Sequence, residues 1–266
     1  MKFSVITVNY NNKTGLENTI KSVISQTFSG YEFIVVDGGS SDGGSDIINQ
    51  YHGYFSWWCS EPDTGVYNAM NKGIMHANGD YLIFMNSGDV FYDDNVLENV
   101  VNLNIDADII SGQVERMDNG KLIREYTGND LLMQLYQDTI NHQGSFIKRS
   151  LFDHSKYDES LKVVSDWKFW VEKIIYEGCK TEVIRLIIAK QDMTGLSTSS
   201  SIFWHDERKK VIDELFPKLI QKELDNRFRN RGFWKRIDYL ENHNRFAYVF
   251  ARKSLAAFVK MIRLFS

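Results

Sequence analysis

The side chains in this sequence best suited to chemistry fall in polar clusters, three of which directly follow short apolar runs. Asn9-Tyr10-Asn11-Asn12 follows Phe3–Val8, Asp37-Gly38-Gly39-Ser40-Ser41-Asp42 follows Tyr31–Val36, and Asn86-Ser87-Gly88-Asp89 follows Tyr81–Met85. In the second cluster a glycine pair lets a ligand approach the backbone closely, and Asp37 could accept a hydrogen bond from a base or ribose. The stretch lacks the Gly-x-Gly-x-x-Gly of dinucleotide sites, and a turn followed by a helix capped at Ser41 or Asp42 is the competing reading. In the third, Asp89 could ligate Mg2+ or Mn2+, hard cations that take carboxylate oxygen and bridge substrate phosphates; a solvated turn residue would look the same. A fourth cluster, Ser60 to Gly73, offers Asp63 or Thr64 as cap of a helix with Val66, Met70 and Ile74 on its apolar face. Asn71 and Lys72 sit beside that face, and Lys72 could meet a phosphate as a point charge or simply be solvated. Asp166 opens a helical stretch, Ser165 to Tyr176, whose apolar stripe is Trp167, Trp170 and Ile174. A capping acid there gains about 0.3–1 kcal/mol from the helix dipole. Desolvation by the neighbouring aromatics would instead raise its pKa and suit it to general-base work. His142, in Asn141-His142-Gln143-Gly144, is the rival base.

Positioning these groups requires an alternation of strands and helices. Phe3–Val8, Tyr31–Val36, Phe55–Trp58 and Tyr81–Met85 are β-prone, while Leu16, Ile20, Val23 and Ile24, then Val66, Met70 and Ile74, recur at helical spacing. The pattern predicts an α/β fold, a parallel sheet covered by helices with right-handed crossovers. Ligands in such sheets collect beyond the carboxyl ends of the strands, where the polar clusters fall. Further on, Ile109–Glu115 and Lys121–Tyr126 read as strands around an Asp118-Asn119-Gly120 turn. Gly144–Lys148 and Thr181–Lys190 read as strands, and beyond Phe203 the pattern is helical with a breaker at Pro217. With 266 residues, 43% hydrophobic, the chain can bury one large core of about 200–250 residues plus an extension. It has too much apolar content for general disorder and no run of about 18 apolar residues to span a membrane. Met1-Lys2 leads straight into the first strand, without a signal-peptide pattern. Cys59 and Cys179 lack metal-ligand spacing, and a reducing, cytoplasmic location is expected.

Taken together these residues resemble the family-2 glycosyltransferases. Ser4-Val5-Ile6-Thr7-Val8-Asn9-Tyr10-Asn11 is similar to the family's opening strand, and Val35 to Gly43 to its uridine-site loop. Ser60 through Ile74 resembles the branch that builds bacterial surface polysaccharides, and Phe84 to Asp89 falls where the family keeps a metal-binding Asp-x-Asp element. Val163 to Trp170 is similar to the stretch bearing the catalytic base, and Thr194-Gly195-Leu196-Ser197 to a late acceptor-side loop. The resemblance covers roughly Lys2 to Ser200. It implies a GT-A fold, with a mostly parallel central sheet flanked by helices and a helical C-terminal extension. It also implies inverting transfer from a nucleotide sugar, UDP-linked by family habit, to a hydroxyl of a glycan or lipid-linked acceptor. Tyr10 would pack on the base and Asp37 would bond its polar edge. Asp63, Asn71, Lys72 and Asn86 would line the donor site, and His142 would hydrogen-bond the acceptor. Asp89 would hold Mn2+ or Mg2+ on the diphosphate, Lys72 would add charge there, and Asp166 would be the base. Asn86 and Gly88 stand where the family's other carboxylates often sit, so Asp89 is the one carboxylate of the element and the metal would depend largely on the donor's phosphates.

Residues 227–266 carry ten Lys/Arg against Asp238 and Glu241, a net +8, whereas residues 1–226 carry −12. The catalytic domain is therefore expected over 1–226 and a basic tail over 227–266. From Asn244 to Ser266, Arg245, Arg252, Lys253, Lys260 and Arg263 fall within an arc of about 100°. Phe246, Phe250, Phe258, Met261, Ile262 and Phe265 spread over the other side, and Val249 intrudes on the basic one. Such a helix suits an anionic membrane surface, which the resemblance implies is the inner face of the cell membrane; packing on the catalytic domain or in a homodimer interface is the alternative. The acidic body argues against nucleic acid. Two other functional classes compete. A sugar-nucleotide pyrophosphorylase would carry a Gly-rich basic N-terminal loop, where Asn9 to Gly15 has only Lys13. A degenerate nucleotide-sugar-binding subunit would explain Asn86 and Gly88.

Overall fold

The computed structural model describes residues 1–116, 122–124, 131–191, 201–229 and 249. Strand β1 (Phe3–Asn9) is buried along its whole length because parallel strands flank it, β2 (Tyr31–Asp37) on one side and β4 (Tyr81–Phe84) on the other. Covered on both faces, it reads as a continuous apolar run rather than an alternating one. β3 (Trp57–Ser60) extends the parallel array beyond β2. Helices α1 (Lys13–Ile24), α2 (Gly44–Tyr51) and α3 (Val66–His76) make the crossovers. In α1, Leu16, Thr19, Ile20 and Val23 recur on one face and are buried, so packing against the sheet is what stabilises the helix.

Past β4 the sheet becomes mixed. Its order is β3-β2-β1-β4-β8-β6-β9-β5, with β7 beside β6. β8 (Ser145–Lys148) runs antiparallel to both β4 and β6 (Ile109–Arg116), while β9 (Thr181–Gln191) is parallel to β6. The short strands β5 (Val90–Phe91) and β7 (Leu122–Arg124) pair antiparallel with β9 and β6. Helices α4 (Val96–Asn102), α5 (Leu131–Gln137) and α6 (Ser165–Trp170) complete this half. Helix α7 (Ser201–Leu215) follows, and α8 (Lys218–Arg229) begins after the Pro217 breaker.

Contacts divide the chain into Met1–Val211 and Ile212–Ser266, a boundary earlier than the charge change at 226/227. Within the second unit, Gln221 Nε2 donates to Phe216 O at 2.7 Å, which ties the start of α8 back across the proline turn. Three local expectations shift. The third strand begins at Trp57 because Phe55 N–H closes a turn on His52 O. The stretch from Ser165 winds as an α-helix only to Trp170 and as a wider π-helix over Val171–Tyr176. The caps of α2 and α3 are Gly43 and Gly65, while Asp42 and Asp63 accept from Gly44 N and Gly65 N at 3.0 Å each. The Asp118–Gly120 turn, the Thr194–Ser197 loop and nearly all of the basic tail lie outside the described residues.

Candidate active site

Register builds the first part of the site. Asn9 pairs with Asp37, and Asp37 with Ser60, so the last residues of β1, β2 and β3 form one polar row. Asn9 Nδ2 donates to Asp37 Oδ1 at 2.7 Å and Ser60 Oγ to Asp37 Oδ2 at 2.6 Å. Ser40 adds its Oγ on Oδ1 at 2.5 Å and its N–H on Oδ2 at 3.0 Å. Burial pushes the Asp37 carboxyl up, but the bonds from Ser40, Ser60 and Asn9 outweigh it and hold it below its ordinary range. Asp37 is wholly buried with both oxygens engaged. It anchors the loop rather than facing a ligand, which corrects the expectation of a direct contact to a base.

The open carboxylate beside this row is Asp63. A Cβ on Gly38 would lie 2.4 Å from Asp63 Oδ2 and 3.2 Å from Tyr10 Cδ2, so the Asp63 carboxylate and the Tyr10 ring flank one glycine. Tyr10 is 63% exposed, and nothing in the loop covers it. Burial raises the Asp63 pKa; Gly65 N–H and Lys72 partly offset it. An exposed ring next to a half-buried carboxylate can stack on a base and accept from its N–H edge. Lys72 Nζ is held 2.8 Å from Glu61 Oε1, against the same turn, so reaching a phosphate requires leaving Glu61. Asn71 does not belong to the cleft. Its Nδ2 donates to Tyr157 O at 2.9 Å and Glu159 Oε1 at 2.8 Å, and its Oδ1 accepts from Tyr157 N at 3.0 Å. The donor-site expectation for Asn71 is therefore corrected: its amide is buried and spent on holding the 157–159 segment to α3.

The second part is the turn after β4. Asp89 N–H bonds Asn86 O at 2.9 Å, Thr19 Oγ1 donates to Asp89 O at 2.7 Å, and Gly88 N–H donates to Thr19 Oγ1 at 3.0 Å. Thr19 on α1 thus fixes the turn. Gly88 has φ 103°, a conformation that disfavours any side chain; a glycine stands there for backbone reasons. Asp89 is 4% exposed, and among the described residues no three His, Cys, Asp or Glu side chains gather around a metal position. A hard cation held there would have to draw most of its oxygens from diphosphate and water.

The third part surrounds Asp166. Its Oδ1 accepts from Tyr67 Oη and Trp167 N at 2.9 Å each, and its Oδ2 lies 3.0 Å from His142 Nδ1. His142 Nε2 in turn lies 3.2 Å from Asn86 Nδ2. Burial pushes Asp166 up, yet the bond from His142, then those from Tyr67 and the Trp167 N–H, leave it below its ordinary value. The expected rise in pKa is corrected: the aromatics desolvate the carboxylate, but hydrogen bonds dominate. Tyr67 and Tyr157, both buried, are pushed well above the ordinary phenol range by burial and by the Asp166 charge. Helix α6 is locked in place by its indoles. Trp167 Nε1 donates to Leu135 O at 2.6 Å and Trp170 Nε1 to Ile140 O at 3.0 Å, which sets Asp166 against the segment leading to His142. Arg208 stacks 4.0 Å over Trp167 and donates to Leu135 O and Asp138 O.

Hydrogen bonds join the three parts. Asn12 Nδ2 donates to Ser87 O at 3.0 Å and Ser87 N–H to Val8 O at 3.0 Å, and Asn86 reaches Asp166 through His142. Tyr67, Ser40, Ser60, Tyr157, Thr19 and Asn9 are among the members that sequence reasoning gave no role. Tyr67 had a signal, an aromatic hydroxyl in the distinctive 60–73 segment. Beside it runs a groove of about 320 Å3 lined by Tyr67, Asn68, Glu159, Leu161, Lys162 and Val163.

Comparison with known proteins bears on the fold and the family. An uncharacterised glycosyltransferase of Mycobacterium tuberculosis is 33% identical over 211 residues, covering 73% of this chain and 76% of the relative. A PGL/p-HBAD biosynthesis glycosyltransferase of Mycobacterium bovis is 29% identical over 205 residues, 74% of this chain and 79% of the relative. Among solved structures, S. aureus TarS 1-349 in complex with UDP-GlcNAc superposes with a TM-score of 0.66 at 19% identity, covering 85% of this chain and 70% of that one. A Pyrobaculum calidifontis mannosyltransferase in complex with GDP-Man and Mn2+ gives 0.63 at 15% identity, covering 99% and 82%. The fold is that of the GT-A glycosyltransferases. The profile of glycosyl transferase family 2 matches residues 4–159, and with these relatives it shows that the chain belongs to that family.

Proposed function

We propose that the chain moves a sugar from a nucleoside diphosphate sugar, UDP-linked in preference, to a hydroxyl of a glycan or lipid-linked acceptor, inverting the anomeric carbon. The observation that carries this reading is the lone-pair count at Asp166. Oδ1 already accepts two bonds and Oδ2 one, so Oδ2 keeps room for one incoming O–H, on a side chain still 13% exposed. Asp166 Oδ2 takes the proton of the acceptor hydroxyl as its oxygen attacks the anomeric carbon, and the bond to the nucleoside diphosphate breaks with its electron pair on the leaving phosphate. One base and one displacement give inversion. The groove lined by Tyr67 is the surface we assign to the acceptor, since the Tyr67 hydroxyl is bonded to Asp166 Oδ1.

Tyr10 stacks on the base, Asp63 accepts from its N–H edge, and Asp37 fixes the loop that carries both contacts. Asp89 would hold Mn2+ or Mg2+, which when bound neutralises charge on the diphosphate; Lys72, released from Glu61, adds to that. The UDP-GlcNAc, GDP-Man and Mn2+ named for the neighbouring structures support a nucleotide-sugar donor and a divalent metal. The PGL/p-HBAD biosynthesis named for the mycobacterial relative supports a surface-glycan role. None of the described helices is long and apolar enough to cross a membrane, and the basic helix expected over 244–266 is read as a peripheral contact with an anionic membrane.

The test is release of nucleoside diphosphate from a panel of UDP-, GDP- and dTDP-sugars with Mn2+. Asp166→Asn should lower the rate about 100- to 10,000-fold with nucleotide affinity retained, and Asp89→Ala should abolish the response to Mn2+. An Asp166→Asn protein with full activity would refute the base assignment. Nucleotide-sugar binding with no turnover of any donor would favour a binding subunit.

A further inference from the structure

We infer that His142 is a positioning residue for Asp166: the Asn86 amide holds its imidazole neutral with the proton on Nδ1, and that N–H aims Asp166 so that Oδ2 faces the incoming hydroxyl. The inference rests on the proposed role of Asp166 as base. A carboxylate only accepts, so Nδ1, 3.0 Å from Asp166 Oδ2, carries a proton. Nε2 lies 3.2 Å from an amide nitrogen, which only donates, so Nε2 accepts and the ring is neutral. With the amide reversed, Nε2–H would donate to Asn86 Oδ1 and the ring would be an imidazolium. That arrangement would bury the NH2 group where Oδ1 now sits without a partner. An orphaned buried N–H is rarer than an under-satisfied carbonyl oxygen, so the first orientation stands.

The ring has little freedom to do anything else. His142 is 15% exposed and packs edge-on to Phe84 at 6.4 Å and 90°. Its backbone leads into β8, while α6 is fixed to the preceding segment through Trp167 and Trp170. The titratable groups facing Asp166 are His142, Tyr67 from α3 and Tyr157 from the segment after β8; burial keeps both phenols protonated. His142 keeps its proton throughout the reaction. Asn86 also accepts the Asp89 N–H through its carbonyl. The residue that sets the tautomer therefore belongs to the turn proposed to grip the diphosphate, and it ties donor end and base together.

The first experiment needs no turnover. Long-range 1H–15N spectra of the full-length, 15N-labelled chain between pH 6 and 8 should show His142 as the Nδ1–H tautomer; an Nε2–H tautomer or an imidazolium throughout would overturn the inference. The second measures UDP release from the best UDP-sugar. His142→Ala should lower kcat about 10- to 100-fold with donor KM within about 2-fold. Its acid limb should move to higher pH, because burial then acts on Asp166 without the imidazole bond. His142→Asn, whose Nδ2 can stand in for Nδ1–H, should recover kcat to within about 5-fold and return the limb. Equal losses in both variants, or a raised KM with unchanged kcat, would make His142 a substrate contact or a packing residue and refute the inference. If the wild-type chain turns over no donor, the proposed function fails, while the tautomer result still judges the Asn86–His142 link.

Discussion

Replacing Gly38 by alanine should separate ligand binding from folding. The added Cβ would sit 2.4 Å from Asp63 Oδ2, 3.1 Å from Asp63 Cγ and 3.2 Å from Tyr10 Cδ2. Ordinary contact begins at 3.4 Å, so the carboxylate must retreat by about 1 Å, and a displacement of that size is enough to lose a well-aligned contact. Gly38 is not among the positive-φ glycines, so alanine strains no dihedral. The atom that must yield is the end of a half-buried side chain, so the fold should lose no more than about 1 kcal/mol. Binding should lose more. A hydrogen bond to a charged group contributes about 1.5–3 kcal/mol, which at about 1.4 kcal/mol per decade raises Kd about 10- to 100-fold. Any shift of Tyr10 takes some stacking with it. Calorimetric titration with UDP and GDP, beside thermal melts of both proteins, would measure the two effects. If the preferred nucleotide bound Gly38→Ala as tightly as wild type, Tyr10 and Asp63 would not be the base site.

Other perturbations probe the rest. Asn71→Ala removes two buried hydrogen bonds and one part-buried one and should cost about 2 kcal/mol or more in urea unfolding, with nucleotide Kd unchanged. Asp37→Asn should weaken acid sensitivity. The Asp37 pKa is lowered by folding, so its stabilisation is present above the unfolded value of about 3.9 and is lost as pH falls through the folded one; wild type should lose stability there faster than the variant. Turnover should persist as pH falls to about 5, because hydrogen bonds hold the Asp166 pKa below its ordinary value, itself about 3.9; a steep loss between pH 7 and 6 would contradict that environment. Deleting residues 244–266 should reduce sedimentation with phosphatidylglycerol vesicles at least about 10-fold, given about 1 kcal/mol for each basic residue near an anionic surface; unchanged binding would remove the membrane reading.

The parallel half of the fold was legible because both the apolar runs and the polar clusters that end them are local. Phe3–Asn9 and Tyr31–Asp37 become neighbours by the ordinary rule for strand–helix–strand units. What those clusters do was less legible, because it depends on register. Ser60 lies 23 residues beyond Asp37 and meets it only because β3 stops level with β2. Nothing in the 37–42 stretch shows that Asp37 is already saturated, or that Asp63 takes the exposed place. Tyr67 and Asp166 are 99 residues apart and Asn71 and Tyr157 are 86 apart, and no spacing rule reaches so far. Aromatic neighbours at Trp167 and Trp170 announce desolvation in the sequence; the hydrogen bonds that reverse its effect on Asp166 come from other segments.

That reversal bears on how such a site can work. A base made strong by desolvation would stay protonated for part of the time near neutrality and would hold its ring of donors loosely. Here the balance runs the other way: hydrogen bonds hold the Asp166 carboxyl below its ordinary range, which weakens it as the proposed base, and three donors fix its position. A weak base suffices when the proton moves late, after the bond to the diphosphate has largely broken and the acceptor oxygen has become acidic. The demand then passes to the leaving phosphate, whose charge the proposed site at the Asp89 turn would have to stabilise. A site with one carboxylate in its proposed metal element and a tightly held, weakly basic Asp166 is consistent with a reaction governed by leaving-group departure and geometry. The hydrogen-bonded path from Asn86 to Asp166 joins those two demands in one frame.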